Sequence, residues 1–68
     1  MTDSQIANLA HATADKLIAG MGIPDYSADV ARTACGLDGI DPDSREGELY
    51  QSRMIGHFIN VSCGTAGR

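Results

Sequence analysis

The chain has no tryptophan, one phenylalanine and two tyrosines, so whatever core it builds is thin and rests on alanine and medium-sized aliphatic side chains. Cations are scarce as well. Five Lys and Arg stand against nine Asp and Glu, for a net charge of −4. Nucleic-acid binding draws much of its affinity from Lys and Arg at phosphates, and the basic residues scattered from Lys16 to Arg68 form no patch. Nucleic acid is therefore not the expected partner.

No apolar run approaches the roughly 20 residues of a membrane span, and the first residues show neither a basic n-region nor an apolar h-region. The expectation is no membrane association and a cytoplasmic location, where Cys35 and Cys63 are reduced thiols. Strand signals are missing too, since no stretch alternates apolar and polar residues over a useful length. There is no internal repeat and no low-complexity segment. A chain of 68 residues is one domain, and a domain this small buries only about 60% of the surface its unfolded chain exposes. Disulfides, a metal or oligomerisation commonly offset that shortage.

What is present is helical periodicity. Thr2-Asp3-Ser4 offers N-cap oxygens to a first helix over about 4–20, with Ile6, Leu9, Ala10, Leu17 and Met21 at apolar spacing and Ala14 keeping the inner face shallow. Asn8, His11 and Asp15 fall outside. Thr13 interrupts the apolar stripe, tolerable because its hydroxyl can bond the carbonyl one turn back. Gly20-Met21-Gly22-Ile23-Pro24 ends the helix. Asp25 or Ser27 then caps a short second helix over about 26–36, with Val30, Ala31, Ala34 and Leu37 inward, Asp29 and Arg32 outward, and Gly36 as a stop. Asp38-Gly39 and Asp41-Pro42 are turn signals. A third helix over about 43–62 follows, with Asp43, Glu46 and Glu48 favourable to its dipole and Gly47 weakening its first turns by about 1 kcal/mol relative to alanine. Residues 64–68 read as a disordered tail after a single domain over 1–63.

The third helix is apolar on two sides. At 100° per residue, Tyr50, Met54, Phe58 and Val61 share one face, matched by the first two helices, while Leu49, Ser52, Gly56, Ile59 and Cys63 share a nearly opposite one. A helix apolar on two sides must be covered on two sides. The sequence therefore predicts an all-α domain of three helices, hairpin-like, whose long third helix forms a homodimer seam through the Gly56 face. The alternative is that this helix is simply central in a monomer. Between the two faces Arg53, His57 and Asn60, with Tyr50 at the edge, form a polar stripe able to meet an anion or a partner carboxylate. More commonly such a stripe is the wet margin of an interface.

Other chemistries find little support in the spacing. His57 and Cys63 are six apart and diverge on a helix, so no close zinc-ligand pair exists. An intramolecular Cys35–Cys63 bridge is incompatible with an antiparallel hairpin of the second and third helices, although Cys63 could pair with its own symmetry mate. The acidic stretch from Asp41 puts Arg45 and Glu46 where an EF-hand needs a ligand and a glycine. The connection between helices two and three is too long and too acidic for a helix-turn-helix. His11 and Asp15, four apart, form an ordinary solvated helix pair, and no nucleophile and base are spaced for catalysis. No catalytic residue, metal or cofactor is expected. The function most in keeping with these features is that of a non-enzymatic acidic helical protein that binds and regulates or inhibits a larger protein, as a homodimer. A helical oligomer binding a small anionic ligand, and a nucleic-acid-binding regulator, are the alternatives.

Overall fold

Two reciprocal hydrogen bonds open the first helix: the Thr2 hydroxyl oxygen accepts from the Gln5 backbone N–H at 3.2 Å, and Gln5 Oε1 accepts from the Thr2 N–H at 2.8 Å. This capping box satisfies two donors that a helix start otherwise leaves orphaned. The computed structural model describes residues 1–63, and in them the chain forms three helices, α1 (Asp3–Met21), α2 (Ser27–Leu37) and α3 (Arg45–Ser62). No strand occurs among the described residues. The expected tail at 64–68 lies outside them.

α1 stops where Gly22 adopts φ 79° and donates its N–H to the Ile18 carbonyl at 2.9 Å. Only glycine takes that backbone conformation without strain. α2 departs from the sequence reading at both ends. Neither Asp25 nor Ser27 caps it; Tyr26 occupies the N-cap with no side-chain bond. Gly36 does not end it either, because the helix runs on to Leu37 and the chain reverses at Gly39, whose φ is 80°.

α3 begins at Arg45 rather than 43 because Asp41 to Ser44 form a closed turn instead. Asp41 Oδ1 accepts from the Asp43 N–H at 3.0 Å, and the Asp41 carbonyl accepts both the Ser44 N–H at 3.1 Å and the Ser44 hydroxyl at 2.6 Å. Ser44 then caps the helix by accepting from the Gly47 N–H at 3.0 Å. Gly47 reverses its expected role. It is buried, and a Cβ there would collide with the Asp41 carbonyl oxygen and lie 2.7 Å from Pro42 Cα. The missing side chain lets the turn lie against the first turn of α3, and Gln51 Nε2 clamps it by donating to the carbonyls of Pro42 at 2.8 Å and Gly47 at 3.1 Å.

α1 runs parallel to α3: Arg45 meets Asp3 near the two starts, and His57 meets Asp15 farther along. α2 runs back against α3, with the Cys35 thiol donating to the Ile40 carbonyl at 3.4 Å and reaching the Gly47 carbonyl at 3.9 Å. Cys35 thus sits at the start of α3 and Cys63 at its end, separated by about 24 Å at 1.5 Å per residue. Both are free thiols. α1 and α2 each pack on α3 and scarcely touch each other.

The core is Ile6, Ala10 and Ala14 of α1, Ala31, Ala34 and Cys35 of α2, and Tyr50, Met54 and Phe58 of α3. Four alanines bring the flanking helices close to the large residues of α3, the thin core the composition implies. Val61, expected on the core face of α3, is half-buried outside this cluster, and two further residues expected inside are exposed. Met21 is 60% exposed and Leu37 83% exposed, because both fall where α1 and α2 diverge beyond the reach of α3.

Candidate functional site

The α3 face singled out from the sequence is turned only partly away from the rest of the chain, since Ile59 and Cys63 border a pocket that Ile23, Pro24 and Ser27 also line. Ser52, Ile59 and Cys63 are exposed, and a Cβ on half-buried Gly56 would meet no atom within 4 Å. Leu49 is partly covered, since it leans onto the edge of the core. Ile59 is the one large apolar residue of this face that is strongly exposed, at 55%.

The polar stripe does not hold together as a surface. Arg53 and Asn60 are exposed, but Tyr50 is fully buried. Its hydroxyl donates a short hydrogen bond to Asp38 Oδ2, so it belongs to the interior and not to a ligand stripe. Helical period placed Tyr50 on both the core face and the stripe edge; a phenol whose ring is covered and whose hydroxyl has a carboxylate partner has no reason to turn outward. Burial, reinforced by the hydrogen bond to Asp38, pushes the Tyr50 phenol well above its ordinary 10.0.

Asp38 is the residue that sequence reasoning passed over. It stands at the C-cap of α2, and the oxygen that accepts from the Tyr50 hydroxyl also accepts from the Thr13 hydroxyl at 2.8 Å. Thr13 therefore bonds across to α2 rather than back along α1, and the apparent flaw in the α1 stripe is one arm of a three-helix junction. The Asp-Gly pair signalled a turn, which is present, and the carboxylate has this second use. Nearby, burial followed by the charges of Asp38 and Asp41 raises the Cys35 thiol above 9.0.

His57 is engaged as well. Its Nε2 lies 2.7 Å from Asp15 Oδ1, and its ring stacks on His11 with centroids 4.9 Å apart and planes 27° from parallel. His11 and Asp15, separated by one turn of α1, thus share His57 between them. The stacked rings turn their faces, not their lone pairs, toward each other. Among the described residues no group of three or more His, Cys, Asp or Glu is placed to hold a metal ion, and no helix is long and apolar enough to cross a membrane.

A second uncovered apolar surface lies in the cleft where α1 and α2 diverge. Leu17 and Met21 line one wall of a groove of about 260 Å³, and Val30, Ala34 and Leu37 line the other, with Thr33 and Asp29 at its rim. No protein-family model, curated protein or solved structure matches this chain. The arrangement offers two separate apolar faces on opposite sides of the molecule, the outer face of α3 and the α1/α2 groove. Sequence periodicity found the first because one helix carries it. It missed the second because two helices share it and each half resembles an ordinary core stripe.

Proposed function

We propose that this is a non-enzymatic, acidic helical protein that binds and regulates or inhibits a larger protein, assembled as a homodimer through the outer face of α3. The observation that carries the reading is the strong exposure of Leu37, Met21 and Ile59 on two separate faces of a chain whose own core is already closed. Met21 and Leu37 border one apolar groove, and contiguous exposed apolar surface of that kind marks interaction sites on small proteins. On α3, Ser52 and Gly56 leave a shallow strip between Leu49, Ile59 and Cys63, and an isologous contact with a two-fold mate uses that strip without any further element. The nucleic-acid alternative is less well supported, because Arg32 and Arg45 already face Asp43 and Asp3.

Two measurements test the two halves of the reading. Light scattering at micromolar concentration is expected to give twice the chain mass for the wild type and the single-chain mass for Gly56→Leu, with helical circular dichroism unchanged. A monomeric wild type removes the dimer. Native affinity purification with mass spectrometry is expected to recover one partner in stoichiometric amount, and recovery of none removes the regulatory role.

A further inference from the structure

The groove between α1 and α2 is shaped and charged for a particular kind of occupant. On α1 its apolar wall is Leu17 and Met21, one helical turn apart; on α2 it is Val30, Ala34 and Leu37, at intervals of four and three. Two rows at these intervals are the ridges against which a third helix packs, and recognition of an amphipathic helix uses the same i, i+4, i+7 anchors. The rows run past the enclosed part of the groove at both ends, where Met21 is 60% and Leu37 83% exposed. An elongated occupant fits that outline better than a compact one. Since α1 and α2 both pack on α3 and scarcely meet, a helix laid between them completes a four-membered bundle, opposite α3 across the core.

The charges around the groove are unequal on its two sides. Asp29 stands on the α2 wall and makes no ion pair among the described residues. Asp25, exposed, lies in the connection at the same end. The C-terminus of α1 and the N-terminus of α2 meet there with opposite dipole ends, so the local charge is set by the two carboxylates themselves. On the α1 side the one Lys or Arg is Lys16, exposed and likewise unpaired. It follows Thr13 by three residues on the flank of α1 that turns toward the α2 C-cap, where Thr13 bonds Asp38. Asp29 is thus the one charged side chain that lines the groove, which makes its Met21 end acidic, while Lys16 stands outside the lining.

We propose that the α1/α2 groove is the seat of an amphipathic helix supplied by a protein partner, its apolar stripe laid between Leu17/Met21 and Val30/Leu37 and a basic side chain set against Asp29. The proposal rests on the protein-binding reading above and names its site and the chemistry of the partner. A homodimer formed through the outer face of α3 leaves this groove open, so the two surfaces serve different contacts.

The test uses the full chain and two synthetic amphipathic helices that share one leucine stripe, one flanked by lysine and the other by glutamate. Titration followed by amide chemical shifts is expected to move Leu17, Val30, Thr33 and Leu37 with the lysine peptide, and to show the glutamate peptide binding about tenfold more weakly, a gap that narrows as salt screens the Asp29 end. Leu37→Glu, at a position too exposed to endanger folding, abolishes binding of both peptides. Asp29→Lys inverts the preference between them. Equal affinity for the two peptides, or shifts confined to Ser52, Gly56 and Ile59, overturns the groove assignment while leaving a protein-binding role intact. Concentration-dependent shifts at Leu17 and Leu37 without any peptide overturn it also, because the groove is then covered by a second copy.

Discussion

The hydroxyls of Tyr50 and Thr13 both end on one atom, Asp38 Oδ2. This carboxylate oxygen ties the second turn of α3 and the middle of α1 to the C-cap of α2, and so joins two flanking helices that otherwise scarcely touch each other. Hydrogen bonds to a charged group contribute about 1.5–3 kcal/mol each, and a buried donor left without a partner costs about 1–3 kcal/mol.

Asp38→Ala should therefore be the most damaging change outside the apolar core. It removes the charged acceptor of both hydroxyls and leaves Tyr50 and Thr13 only each other, with an expected loss of about 2–4 kcal/mol in urea unfolding. Tyr50→Phe and Thr13→Val are expected to cost less singly, and their double mutant less than the sum, because the two donors share an acceptor. Strict additivity would show that the junction does not act as one unit.

The thiol of Cys35 and the phenol of Tyr50 set the alkaline limit of stability. Burial raises both above their ordinary values of 9.0 and 10.0, so between the unfolded and folded values the native chain keeps protons that the unfolded chain has released. Stability is then full below about pH 9 and falls as pH rises, since the unfolded state binds fewer protons. Unfolding midpoints measured from pH 8 to 11 should decline above about 9, and the decline should flatten for Cys35→Ala above 9 and for Tyr50→Phe above 10. A midpoint insensitive to pH across that window contradicts the burial of both groups.

Two glycines in the same helix should respond to alanine with opposite signs. At Gly56 the added methyl enters open space within the single chain, and at concentrations too low for the proposed seam to pair the gain in helix propensity stabilises the fold by roughly 0.5–1 kcal/mol. At Gly47 the methyl meets the Asp41 carbonyl and Pro42, and neither backbone atom can step aside without opening the turn that Gln51 clamps. The expected cost exceeds about 2 kcal/mol. Thermal unfolding of the two variants decides the point, and a Gly47→Ala protein as stable as the wild type would mean the turn does not rest on α3 as described.

The elements themselves were legible because each helix carries its own period and punctuation. Thr2, the Gly22 region and the Tyr50/Met54/Phe58 row announce themselves within a single segment. What escaped were properties that exist only between segments. Gly47 reads as a weak point until the Asp41 turn is laid against it. Tyr50 fits two faces until Asp38 selects one. Leu17, Met21, Val30 and Leu37 look like core in each helix separately and become a groove only because α1 and α2 diverge. His11, Asp15 and His57 were visible as a pair and a single, and the parallel run of α1 along α3 joins them.

That parallel run has a consequence for how the chain tolerates changes in length. Asp3 to Arg45 and Asp15 to His57 each span 42 positions, so the two helices climb in step and one offset serves both contacts. A residue added to the connection at Pro24–Asp25 changes both offsets alike and lets α1 keep its seat. A residue added between Asp3 and Asp15 leaves one contact in place and swings the other around the helix by about 100°. Insertions and deletions are therefore tolerated in the connection and excluded from α1, although both segments are largely exposed.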